Sequence, residues 1–149
     1  MKKHLLIALL LAVAGNAPAF ARQPTGLSRL VDRLQANPAD TAAWSALQTW
    51  CDTTELLPEQ LGQELERALH RLSPETDHRL RAELLRHSGI ASMDQGDYQQ
   101  SSGQLLQSIR LFESLGDPLG VALVRMNLGA LNYHLAQFPQ AISYWQKSA

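Results

Sequence analysis

The chain is poor in the residues that usually announce chemistry. One cysteine, Cys51, stands in 149 residues, which excludes an intrachain disulfide framework and any zinc site built on cysteine pairs. Aromatic residues make up 6% and charged residues 18%, with 13 basic against 14 acidic side chains. A nucleic-acid-binding domain would show a Lys/Arg excess, and none is present. No segment alternates β-branched and polar residues at period two, so strands are not expected. Walker A, G-x-G-x-x-G, G-x-S-x-G and H-E-x-x-H patterns are all missing. His70, His78, His87 and His134 fall at no metal-ligand spacing, and carboxylates such as Glu64, Glu66, Asp94 and Asp97 sit in caps and polar faces. Neither a catalytic site, a cofactor nor a metal ion is expected from these residues.

What is present begins with a leader. Lys2 and Lys3 precede an apolar run from Leu5 to Ala14, Gly15 and Pro18 break it, and Ala19-Phe20-Ala21 has the small-x-small form of a cleavage site. This is the three-part layout of a secretory signal peptide over residues 1–21. A span would need about 20 apolar residues, and this run is much shorter. Cleavage after Ala21 leaves 128 residues with 11 basic and 14 acidic side chains. No second long apolar run follows, so the expectation is an exported, periplasmic chain without a membrane span. A lone cysteine in an oxidising compartment is either buried or paired between chains; burial of Cys51 on a helix is expected.

Apolar residues then recur at helical spacing to the end of the chain. Leu27, Leu30, Val31 and Leu34 stripe a first helix, stopped by Asn37-Pro38. Residues 40–52 form a second, with Asp40 or Thr41 as N-cap. Pro58 opens a third, whose stripe is Leu61, Leu65, Ala68, Leu69 and Leu72; Pro is well placed at a first helical position because its missing N–H is not needed there. Longer helices are expected from Pro74 to Asp94, Tyr98 to Leu115 and Pro118 to Ala136, with a last one from Pro139. The short connections imply antiparallel neighbours.

The C-terminal half matches itself at an offset of 40 residues. Gly89 falls on Gly129, Gly96 on Ala136, Tyr98 on Phe138, Ser101 on Ala141, Leu105 on Trp145 and Ser108 on Ser148. Small residues at Gly89/Gly129 and Ser101/Ala141 suit close approach of the two helices of a hairpin. Tyr98/Phe138 and Leu105/Trp145 are expected to fill the space between one hairpin and the next, and Gly96 to supply a positive φ in the turn. An ordinary non-repetitive helical bundle is the alternative reading of the same small residues.

With these residues in view, the chain resembles the tetratricopeptide repeat in its long, roughly 40-residue variant. The resemblance rests on Leu115-Gly116-Asp117-Pro118-Leu119-Gly120-Val121-Ala122, Asn127-Leu128-Gly129 and Gln137-Phe138-Pro139-Gln140-Ala141-Ile142. One copy runs from about Ala82 to Val121 and the next from Ala122 onward. Asn37-Pro38-Ala39-Asp40-Thr41-Ala42-Ala43-Trp44 is similar to the start of a degenerate earlier copy, which departs in having Gln48 where a small residue is expected. The resemblance implies an all-α fold of antiparallel helix-hairpin repeats stacked as a solenoid, with N-terminal helices over 22–80 and two repeats over 81–149.

It also implies a concave face, lined by the first helix of each repeat, that binds a protein or peptide. The residues expected to be exposed there are Glu83, Arg86, His87, Ile90 and Met93, then Met126, Asn127, Ala130, Tyr133 and His134. Asn127 matches an asparagine that in such repeats often contacts the backbone of a bound peptide; His87 stands there in the earlier copy. The last helix ends without a polar capping helix, which would leave Ile142 and Trp145 partly bare. Three outcomes are open for that end: a homodimer, a partner, or a longer chain. In the last case these residues would form the periplasmic sensory part of a membrane signalling protein of diguanylate cyclase or kinase type.

Overall fold

A computed structural model describes residues 26–73 and 78–148. The leader, its cleavage site and the expected helix start at Pro74 lie outside the described residues. Seven α-helices and no strand occur among them: α1 (Gly26–Ala36), α2 (Thr41–Thr53), α3 (Pro58–Arg71), α4 (His78–Asp94), α5 (Tyr98–Ser114), α6 (Pro118–His134) and α7 (Phe138–Gln146). The all-helical expectation is met, with ends shifted by one or two residues.

Local chemistry accounts for the helix starts. Asp40 caps α2, its side chain accepting from the Ala43 N–H at 2.9 Å and pairing with Arg33 at 2.7 Å. Those donors, the Ala43 N–H foremost, hold the Asp40 carboxyl below its usual range. Asp97 caps α5 through the Gln100 N–H and Asp117 caps α6 through the Gly120 N–H, each at 2.9 Å. Pro58 and Pro118 open their helices, where the ring matches helical φ.

Helices α4, α5 and α6 each have 17 residues, and three-residue turns follow each of them. All three turns are the same motif. After α4, the Gly96 N–H bonds to Met93 O and the Asp97 N–H to Ser92 O, both at 2.9 Å. After α5, Gly116 bonds to Glu113 and Asp117 to Phe112; after α6, Ala136 bonds to Tyr133 and Gln137 to Asn132. This pair of bonds closes a helix only with a left-handed residue at its centre. Gly96, Gly116 and Ala136 have φ of 81°, 64° and 57°. The backbone therefore repeats every 20 residues and each hairpin every 40.

Side chains obey the same offset. A methyl group on Gly89 would lie 2.7 Å from Leu105 Cγ, and one on Gly129 would overlap the Trp145 indole. Leu105 and Trp145 thus fill the crossing inside each hairpin. This corrects the expectation that they fill the space between hairpins. Between hairpins, Tyr98 stacks on His134 with ring centroids 6.1 Å apart, and the Phe112 ring occupies the place a Cβ on Gly120 would take.

Two groups of buried side chains form the core. Leu27, Val31, Leu34, Ala43, Leu47, Leu65 and Ala68 meet Leu80 and Leu84 of α4 in the first. In the second, Ala82 of α4 meets Leu105, Phe112, Val121, Val124, Leu128 and Leu131. Helix α4 belongs to both, which explains why so few of its positions reach water. Latches tie the front helices: Arg71 of α3 donates to Ser28 and to Asp32 of α1. The seam between α4 and α5 is polar, with Ser108 Oγ donating to Ala82 O and a Ser92–Gln104–Ser88 chain of 2.8 Å bonds.

Candidate functional site

The alternate helices α2, α4 and α6 line one cleft of about 210 Å³. Helix α2 contributes Trp44, Leu47 and Gln48; α4 contributes Arg79, Glu83 and His87, one residue per turn; α6 contributes Leu119 and Leu123. Spacings of four and three place each set on one face of its helix. The Arg79 guanidinium carbon lies 4.8 Å from the Trp44 ring centroid, a cation–π contact that holds the indole as one wall. Opposite stands Leu119, 69% exposed, an apolar side chain in water at the rim. Two larger hollows, of about 430 Å³ each, are more open and are drawn from consecutive elements. One lies between the end of α2 and α3, and the other at the α5–α6 turn.

Arg86 and His87 do not stand in solvent as expected. Each is 5% exposed, because α4 is packed on both sides. Burying a guanidinium requires partners, and Arg86 has three. Its Nε donates to Glu83 Oε2 at 3.0 Å, and its Nη2 donates to Gln48 Oε1 at 2.9 Å and to His87 Nε2 at 2.8 Å. His87 Nε2 therefore acts as acceptor, which leaves the ring neutral. Burial, reinforced by the Arg86 charge, pushes the His87 pKa down to about 3. Gln48, the departure from the small-residue pattern, supplies the hydrogen bond from α2 to α4.

Cys51 is buried one turn further along α2. Burial pushes its thiol up to about 12, so it stays protonated and is a poor nucleophile at neutral pH. Among the described residues, no group of three or more His, Cys, Asp and Glu is placed to hold a metal ion. No described helix is long and apolar enough to cross a membrane.

No family model, curated protein or solved structure matches the chain.

The ten residues expected on the concave face separate into three groups. Glu83 and His87 line the cleft, and Arg86 lies beneath it. Met126, Tyr133 and His134 are exposed on α6, while Ile90, Met93, Asn127 and Ala130 are half-buried. Tyr133 stands at the centre of an aromatic cluster, with ring centroids 5.6 Å from Phe138, 6.2 Å from Trp145 and 6.3 Å from His134. The Oδ1 atom of Asn127 is enclosed with no hydrogen-bond partner among the described residues. Sequence reasoning missed Trp44, Arg79, Leu119 and Leu123. Trp44 and Gln48, four apart on α2, were the available signal, but only the side-chain contacts between α2 and α4 reveal that they meet Arg79 and Arg86.

Proposed function

We propose that this chain is an exported helical-repeat protein of tetratricopeptide type that binds a peptide or partner helix in the α2–α4–α6 cleft. The single observation carrying this reading is that cleft: three alternate helices present one face, with apolar walls and a polar floor already satisfied internally. Such a surface suits a ligand that brings apolar side chains and its own backbone polar groups. Three identical turns, the 40-residue hairpin period and the paired glycine contacts support the stacked-repeat reading.

Export rests on the leader pattern at residues 1–21. Cell fractionation of the full chain should recover a periplasmic product beginning at Arg22; a cytoplasmic product beginning at Met1 would end that part of the reading. For the cleft, the test is selection from a random-peptide display library against the purified protein. Enriched peptides should lose at least about tenfold in affinity on Leu119→Glu or Trp44→Ala and keep it on Gln107→Ala, on the exposed face of α5. Equal binding to all three variants would overturn the assignment.

A further inference from the structure

We propose that His87 is a fixed hydrogen-bond donor in the α2–α4–α6 cleft, where its Nδ1–H takes the carbonyl oxygen of a neutral amide that adjoins an apolar side chain. This rests on the cleft as the binding site and adds the polarity of what binds there.

Arg86 decides which ring nitrogen carries the proton. A guanidinium has only N–H groups and cannot accept. Its Nη2 lies 2.8 Å from His87 Nε2, so Nε2 must offer its lone pair. Burial and the Arg86 charge keep the ring neutral at neutral pH, and its single proton therefore sits on Nδ1. Turning the ring over would set a carbon against that N–H. Nor can Arg86 turn away: it is 5% exposed, and its Nη2 and Nε also donate to Gln48 and Glu83.

The polar floor is thus satisfied internally except at one atom. Nδ1 has no hydrogen-bond partner among the described residues, yet it is not sealed in. The enclosed polar side-chain atoms without a partner there are Ser101 Oγ and Asn127 Oδ1. His87 is itself 5% exposed and lines the cleft, so Nδ1 opens into it.

The surroundings select the acceptor. Leu47, Leu119 and Leu123 are the apolar lining of about 210 Å³, below the roughly 300–1,000 Å³ of sites that enclose a drug-sized ligand. One side chain and the amide next to it suit that space. Glu83, one turn before His87 on the same face, already neutralises Arg86, so a ligand carboxylate would meet Glu83 with no cation beside it. Arg79 stands against Trp44, two turns or about 12 Å along the helix from His87. A neutral carbonyl is therefore preferred to an acid, and a group that can only donate is refused.

Nitrogen NMR of histidine-labelled protein, purified after expression of the full chain, tests this, with the His87 signals assigned by their loss in His87→Gln. Without ligand at neutral pH, His87 should carry its proton on Nδ1. A proton on Nε2, or an even mixture, would overturn the inference while leaving the cleft as a binding site. Three probes with one apolar branch then report polarity: 3-methylbutanamide, 3-methylbutanoate and 3-methylbutylamine. The amide should shift the His87 Nδ1–H and the Trp44 indole together, and bind at least about fivefold more tightly than the other two. Equal or tighter binding of the acid or the amine, or a shift at Trp44 without one at His87, would overturn the donor role and keep the cleft. No shift at either residue at concentrations on the order of 0.1 M would overturn both.

Discussion

The hairpins α4–α5 and α6–α7 close with the same turn and the same glycine contact, placed in different surroundings. Their turns make the same two hydrogen bonds, and each seats a large side chain on a glycine of the opposite helix. Arg86 and Leu105 of the first are 5% and 0% exposed; Met126 and Trp145, 40 residues later, are 52% and 41% exposed. The first hairpin is covered on both sides and has specialised inward, with a buried ion pair and a polar seam. Among the described residues the second is covered on one side and offers aromatic surface. The number of neighbours a helix has, more than residue type, decides which side chains stay exposed.

The largest test of that difference is Arg86→Ala against Met126→Ala. Removing the buried Arg86 leaves Glu83, Gln48 and His87 without their shared donor, and urea denaturation should show a loss of about 3 kcal/mol. Met126→Ala should cost less than about 1 kcal/mol. Similar losses at both positions would mean that the hairpins are equally packed.

Next in size is pH. The His87 pKa of about 3 in the folded chain lies below its unfolded value near 6.5. The unfolded chain therefore binds the extra proton as pH falls, so this contribution is fully present above pH 6.5 and is lost progressively towards pH 3. At pH 4 the loss should be about 3 kcal/mol. His87→Gln should flatten the stability profile over that window.

Smaller effects should come from the turns. Gly96 and Ala136 both hold positive φ, where a side chain costs roughly 1 kcal/mol. Nothing lies within 4 Å of a Cβ placed on Gly96, so Gly96→Ala should destabilise by about that amount through the backbone alone. Ala136→Gly should stabilise by roughly 0.5–1 kcal/mol. The smallest change concerns the caps. Asp97 caps α5, while Gln137 at the same offset makes no side-chain cap on α7, so Gln137→Asp should raise the thermal midpoint, by about 0.5 kcal/mol in stability. Thermal melts that rank these two substitutions with Gly96→Ala would show whether the last turn is the weaker one.

Much of the architecture was legible from the residues. Pro58, Pro118 and the Asp–x–x caps act within one turn of helix, so local spacing located the starts. Gly96 and the 40-residue offset were readable because a turn and a close crossing each demand a particular residue size. Burial of Cys51 was foreseen from its place on an apolar helix face. The candidate site was far less legible. Arg86 and His87 were expected in water, and both lie inside. A helix sequence records how its residues are spaced and says nothing of how many neighbours that helix has.

The sequence by itself determined the helices, their lengths, their turns and the hairpin period, because each depends on contacts within a few residues or on steric fit between residues at a fixed offset. The tertiary structure alone decided that α4 would be enclosed, that Gln48 of α2 would meet Arg86, and that Trp44, Arg79, Glu83 and Leu119 would share one cleft. Those contacts join residues tens of positions apart, and they follow from how packed helices cross.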